Sequence, residues 1–287
     1  MLNRTFGLFL LLQTGTILCE AHFLWRIDGD KPSYLYGTIH SSSPVVRDIP
    51  EAVVDVLDQA ETFHPELELS PENLGKMTAA LFSAPETDLQ EELPEDLWNR
   101  LTRHPAAAGL PRPLLRRIPL SLLPLLLAAP PGEDFNQIVD VQLFVRAQEA
   151  GLRIHALETA EEQFSVFRDL PREASLAMVR DALEEAERGY PTLGRMLRLY
   201  RSGDVEELQR FLREEWERYE QPALEAALVD RRNRVMAERA LPFIEVGGAF
   251  IAVGAAHMLG ETGLVSLLRE KGHTVERVPL LNPAVTR

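Results

Sequence analysis

Strand-like runs that alternate with amphipathic helical stretches predict an α/β (α+β mixed) fold, a modest central β-sheet flanked by many helices. Three observations carry this prediction. Short segments rich in aromatic and β-branched residues recur at 22–29, 32–40, 61–70, 152–158, 248–257 and 273–279. The stretches between them show helical spacing, with Glu and Arg on solvated faces. Two strands far apart in the chain also end alike, in "GTIH" at Gly37–His40 and "GAAH" at Gly254–His257, which hints at a pseudo-twofold pair of half-sites.

The 287 residues are 45% hydrophobic and 26% charged, which suits a substantial buried core. A formal charge of −14 and a pI near 5.0 argue against a nucleic-acid partner, which needs a basic footprint.

The elements follow in order. The first 21 residues read as a secretory signal: Arg4, an apolar run from Phe6 to Leu18, then small residues before a cut after Ala21. That implies a secreted or periplasmic location. The alternative, an N-terminal membrane anchor, is disfavoured because Gln13 and Thr14 interrupt a run shorter than the ~20 residues a span requires. Cys19, the sole cysteine, lies inside this segment, so a mature chain carries no disulfide and no thiolate ligand.

Residues 22–287 then read as one catalytic domain with a helical insertion over about 72–220. "DKP" turns the strands 22–29 and 32–40 into a hairpin. A helix opens at "IPEAVVDVLDQA", and Ser70 caps another at "SPENLGKMTAALF". Residues 113–131 are rich in leucine and proline; Pro119 and Pro124 break them into kinked helices rather than a membrane span. Helices follow at 135–151, 160–188, 191–201, 204–218 and 222–240, and a last one at 261–271 stops at Gly272.

Side chains alternate along a strand, so each histidine of the paired motifs is expected opposite its glycine. Gly37 and Gly254 would pack, while His40 and His257 would emerge at the strands' C-terminal ends, where open α/β sheets bind ligands. Glu66 joins them: with Glu68 it alternates with leucines in "HPELELS". Two histidines and a carboxylate form a common divalent-metal ligand set with open positions.

On the late helix, Leu224, Leu228, Arg232 and Val235 share a stripe, and Asn233 sits between Val229 and Met236. A polar group on an inward face must be paired, either in a structural bridge or toward a carboxylate or developing oxyanion. Thr159 and Glu162 form a capping box. Glu158, at a strand end, is a second candidate as ligand or base, and Asp140 is an open case. His64, His104, His155 and His273 have no comparable frame and read as structural or exposed.

The segments "FLWRIDGDKPSYLYGTIH", "ELELSPE", "ALETAEEQ", "DRRNRVMAERA" and "FIAVGAAHMLGETGLVSLLREKGHTVERV" together resemble the TraB/PrgY/GumN family, which includes the Tiki proteins. The likeness runs in order over nearly the whole chain after residue 21. It implies a peptidase-like activity dependent on a divalent metal, Mn²⁺ or Co²⁺ favoured and Zn²⁺ as an alternative. It also implies roles for His40, His257, Glu66, Arg232 and Asn233. The chain lacks the cysteines and C-terminal hydrophobic anchor of Tiki proteins and looks like the bacterial branch, so their signalling-protein substrates are not carried over. The wider superfamily resembles erythromycin esterases and a haem-binding group.

The expected function is a metal-dependent hydrolase acting on a peptide or protein. His40, His257 and Glu66 would be metal ligands, or Glu66 would act as the base and another carboxylate would complete the ligand set; Arg232 would hold Glu66 or an oxyanion, and Asn233 would orient it. Two alternatives stand beside it: a metal-independent, esterase-like hydrolase using a histidine base, and a non-enzymatic binder of a peptide or haem.

Overall fold

A computed structural model of the chain describes residues 18–82, 88–218 and 225–281. Six strands form one mixed sheet in the order β4–β3–β5–β2–β1–β6. They are β1 (Leu18–Ile27), β2 (Ser33–Thr38), β3 (Thr62–Pro65), β4 (Arg153–Ile154), β5 (Ala249–Gly254) and β6 (Val275–Leu281). β1 and β2 form the expected hairpin, Leu24 opposite Tyr36. β2, β3 and β4 run parallel to β5 or to each other, so their C-terminal ends share one edge of the sheet.

Most of the expected leader, residues 1–17, lies outside the described residues. Leu18–Ala21 extend β1, where Leu18 pairs with Leu281, and a register shift separates this stretch from the pairing that resumes at Trp25. Among the described residues no helix is long and apolar enough to cross a membrane.

Strand alternation sorts the core into two faces. Leu35, Ile251 and Val253 pack under the helices Pro191–Ser202, Val205–Glu217, Arg231–Val246 and Leu264–Glu270. Tyr36, Phe63, Phe250 and Ala252 face the helices Glu51–Asp58 and Val139–Glu149 on the other side. A separate apolar cluster holds the helical middle together, from Leu89 and Leu97 to Leu123, Leu127, Val179 and Leu183. The Leu/Pro-rich segment belongs mainly here: Leu120, Leu123 and Leu127 are buried in it, whereas Leu125 is 39% exposed.

Three expectations on element boundaries change. The strand expected at 152–158 is regular only over Arg153–Ile154. Beyond it, the amides of His155, Leu157 and Glu158 still donate to the carbonyls of Phe63, Pro65 and Glu66, at 3.0, 2.9 and 2.8 Å. Pro65 has no N–H to return, so the ladder is one-sided and irregular. Second, Val235 is 42% exposed rather than part of an inward stripe. Ala226–Asp230 form a π-helical turn, which inserts extra rotation and shifts the phase of everything after it. Leu224, expected in that stripe, lies outside the described residues.

The third change concerns the paired glycines. β2 and β5 are neighbours with a one-residue stagger, Gly37 opposite Val253 and Thr38 opposite Gly254. Their glycines therefore face opposite sides of the sheet. Gly37 packs as expected, a Cβ there meeting Phe23 Cβ at 3.0 Å and Ala255 Cα at 3.1 Å. Gly254 does not: its missing Cβ points at the site groups. β5 ends at Gly254 and Ala255–Met258 form a 3₁₀ turn, so strand alternation does not reach His257.

Candidate active site

The C-terminal ends of β2, β3 and β5 bring His40, Glu66, Gly254 and His257 around one point. A Cβ built on Gly254 would lie 3.2 Å from Glu66 Oε1, 3.6 Å from His257 Cδ2 and 3.6 Å from His40 Nε2. Residues remote in sequence thus share a cradle that only glycine leaves open.

Glu66, just past β3, is buried and holds two backbone-scale contacts: Gly254 N–H donates to Oε1 at 2.6 Å, and Arg232 Nη2 donates to Oε2 at 3.1 Å. Gln163 Nε2 also reaches Oε2, at 3.4 Å. Burial pushes this carboxyl up, but His257, His40, Arg232 and the Gly254 amide outweigh it and hold it at about 2. At neutral pH Glu66 is an anion, too weak a base to take a proton readily.

Arg232 forks over Glu158, with Nε at 2.9 Å from Oε1 and Nη2 at 2.6 Å from Oε2, while Nη1 donates to the Leu228 carbonyl at 3.1 Å. The guanidinium is therefore spent mainly on bridging two buried carboxylates. Glu158 sits behind it, 5% exposed, and also accepts from Gln163. That arrangement aims Glu158 at Arg232 rather than into the cleft that His40 and His257 line. Asn233, fully buried, donates through Nδ2 to the Thr262 carbonyl at 2.9 Å and faces His257 Nδ1 with Oδ1 at 2.6 Å. Asn233 thus orients His257, not Glu66 or Arg232.

This contact assigns the histidine's tautomer. With its amide nitrogen bound to a carbonyl, Asn233 presents its oxygen to His257, so Nδ1 carries the hydrogen and Nε2 the lone pair. Nε2 stands 3.7 Å from Glu66 Oε1. Burial pushes the His257 pKa down, against the attraction of Glu66, which keeps it neutral.

His40 is built the same way by other residues. Asp140, in the first turn of the Val139–Glu149 helix, faces His40 Nδ1 with Oδ2 at 2.8 Å and accepts from Thr38 Oγ1 at 2.6 Å. The Asp140 carboxylate raises His40 to about 9, although 61% of the histidine side chain is exposed. The loop after His40 is held by Glu133, which accepts from Ser41 Oγ at 2.8 Å and from the Ser42 amide. Asp140 and Glu133 are partners that sequence reasoning did not place. Their one sequence signal is an acid at or just before the start of a helix, which is common and unspecific.

The remaining histidines lie away from the cradle. His64 is fully buried, bonded to the His155 carbonyl at 3.0 Å and to Thr62 Oγ1 at 2.9 Å, and burial lowers it to about 4. Glu68 contributes its backbone carbonyl to Asn73, not its carboxylate to the site.

The donor chemistry suits a divalent metal in part. Both imidazoles are tied at Nδ1 to an oxygen, the arrangement that orients metal-binding histidines; His257 offers a lone pair at Nε2, whereas His40, raised to about 9, must give up a proton to bind a metal. Glu66 adds an anion, but both its oxygens are bonded to protein groups. Among the described residues no three His, Cys, Asp or Glu side chains stand together as a metal cluster.

The cradle opens into a cleft of about 610 Å³ lined by Thr38, His40, Glu66, Arg232, Gly254 and His257 on its floor and by helices of the middle region on its walls.

The sequence as a whole is similar to known proteins. A model of the TraB/PrgY/gumN family matches residues 23–277. "Metalloprotease TIKI2" of Danio rerio is 25% identical over 92% of this chain and 62% of its own length. "Metalloprotease TIKI1" of Homo sapiens is 24% identical over 94% of this chain and 66% of its own. The chain thus spans just under two thirds of these relatives. "Uncharacterized protein YbaP" of Shigella flexneri is 24% identical over 86% of this chain and 94% of its own length. No solved structure matches the chain at a comparable level.

Proposed function

The chain belongs to the TraB/PrgY/gumN family, and from that premise we propose that it is a metal-dependent hydrolase of the peptidase type. The observation that carries this reading is the matched pair of imidazoles. His40 and His257 each have Nδ1 tied to an oxygen, and both lie with Glu66 around the Gly254 cradle. Their relatives' name, metalloprotease, supports the same class of chemistry.

In this reading His40 and His257 would hold Mn²⁺, Co²⁺ or Zn²⁺, with Glu66 as the anionic partner. Such an ion supplies Lewis acidity, polarising a scissile carbonyl and lowering the pKa of water. The protein's part is positioning. Asp140 and Asn233 fix the rings, Gly254 leaves the space open, and Arg232 with Glu158 holds Glu66 in place. The substrate is a peptide or protein segment entering the cleft. The apolar N-terminal run behind Arg4 supports action outside the cytoplasm, in secreted or periplasmic form.

A metal-free reading is favoured by one observation: both Glu66 oxygens are already hydrogen-bonded within the protein. There neutral His257 takes a proton at Nε2 from water or a hydroxyl, and Glu66 stabilises the resulting imidazolium from 3.7 Å.

Purification without chelators, elemental analysis and a peptide-turnover assay separate the two. Stoichiometric metal, lost with activity in His40→Ala and His257→Ala, is the expected result. Full turnover after metal removal refutes the first reading in favour of the second. No turnover of any peptide or model ester, with or without added Mn²⁺, Co²⁺ or Zn²⁺, refutes both.

A further inference from the structure

We infer that the cleft selects a peptide by a bulky apolar side chain, aliphatic or aromatic, carried beside the bond presented to the floor; this rests on the hydrolase reading above. The walls are the evidence. Leu125, Phe167, Met178, Met196, Leu212 and Trp216 come from five separate helices and all line the same 610 Å³ space.

Met196 and Leu212 pack against the sheet-side core and Phe167 against a smaller cluster, and each still presents apolar surface to the cleft. In Arg172–Glu187, Val179 and Leu183 enter the core of the helical middle. Met178, one position round, turns to the cleft, and Ala182, four residues on, lines it while also packing against that core. In Val205–Glu217, Leu208 and Phe211 are buried against the sheet, while Leu212 and Trp216 repeat the same offset toward the cleft. Leu125 does likewise in the short Leu123–Leu127 helix, whose Leu123 and Leu127 are buried.

Scattered exposed leucines on a convex surface need no explanation, but a concave concentration from converging helices marks a binding site. Its volume has room for a peptide backbone and one large side chain. The floor alone binds no such group: it is built of a carboxylate, a guanidinium and two imidazoles. Two flexible thioethers in the wall suit several apolar shapes rather than one. The carboxylates of Asp181, Glu185 and Glu215 outnumber the one wall cation, Arg218, which disfavours an acidic side chain.

Fully burying a leucine or phenylalanine side chain favours binding enough for roughly tenfold to hundredfold selection over a smaller residue. The test is a set of quenched fluorogenic peptides with one varied position: Ala, Leu, Met, Phe or Asp. Binding of the same peptides is read in parallel by Trp216 fluorescence, with Trp216→Phe as the control. Expected are kcat/KM values at least tenfold higher for Leu, Met and Phe than for Ala, with Asp lowest. Leu125→Asn and Met196→Ala should each reduce that ratio severalfold. Leu125 is 39% exposed, so its replacement leaves the fold intact.

Turnover without apolar preference overturns this inference and leaves the hydrolase reading standing. Tighter binding of the apolar peptides with no turnover supports the inference and overturns the hydrolase reading. Neither turnover nor selective binding overturns both.

Discussion

The two glycines that precede the histidines predict opposite phenotypes for the same substitution. A Cβ at Gly254 would sit 3.2 Å from Glu66 Oε1 and 3.6 Å from both His40 Nε2 and His257 Cδ2. Its backbone, at φ −52° and ψ 139°, accepts alanine without strain. The methyl group therefore costs the fold little, less than about 1 kcal/mol, because it replaces chain entropy lost by glycine and meets only side chains. It fills the cradle, however, and forces Glu66 back by a few tenths of an ångström from a 2.6 Å bond to the Gly254 amide. A 1 Å misplacement at a reacting centre can cost about 10²-fold, so a shift of a few tenths of an ångström should lower turnover by roughly three- to tenfold.

At Gly37 the contacts are Phe23 Cβ at 3.0 Å, Ala255 Cα at 3.1 Å and Met258 Cγ at 3.2 Å, two of them unable to yield without backbone movement. Overpacking there costs about 1–3 kcal/mol. In a chain of this length each kcal/mol lowers Tm by roughly 2–4 °C. Thermal denaturation by circular dichroism and peptide turnover, measured on both variants, read the two effects. Full activity in Gly254→Ala, or a Tm loss in it equal to that of Gly37→Ala, refutes the division of roles.

Four further outcomes follow from the same geometry. Arg232→Met leaves Glu66 and Glu158 buried without their cation and should cost about 3–5 kcal/mol in urea denaturation, part of it recovered by adding Glu158→Gln. In chelator-treated protein the depressed Glu66 stabilises the fold above its ordinary 4.5, and that contribution is lost as pH falls toward about 2. The difference is worth roughly 3 kcal/mol, and Glu66→Gln should flatten stability across this acid window relative to the parent chain. Asp140→Asn removes the charge that raises His40 to about 9, so its imidazole resonances in NMR should titrate nearer the ordinary 6.5. Asn233→Leu leaves His257 Nδ1 and the Thr262 carbonyl without their partner and should lower metal affinity or turnover about 10–100-fold.

Much of this site could be read in the chain, and the misses have local causes. Glycine and histidine at strand ends marked His40 and His257, and Gly37 packs as alternation suggested. The expectation failed at Gly254 because a one-residue stagger turns it to the other face, and both strands end before their histidines, β2 at Thr38 and β5 at Gly254. Arg232 and Asn233 stood out as polar groups on an apolar helix, yet Val235 was given to the same stripe because a π turn leaves no mark in the spacing. Asp140 and Glu133 reach residues some 90 or more positions away, and no local pattern announces such a bond. The apolar cleft wall was hidden differently. Met178 and Val179 are adjacent and equally apolar, and only the packing decides which is core.

The one-sided ladder between 63–66 and 155–158 has a consequence for how this protein can change over time. Glu158 N–H binds the Glu66 carbonyl, so the chain leaves the sheet and returns to it at the two acids that Arg232 joins. Everything between is an excursion closed at its base. Lengthening such an excursion is cheap, about 0.6 kcal/mol for each doubling of a flexible loop. Within it, the short Leu123–Leu127 helix that carries Leu125 can therefore be exchanged, extended or trimmed as long as Glu133 and Asp140 keep their bonds to the His40 loop. Substrate preference and chemistry are free to evolve at separate rates.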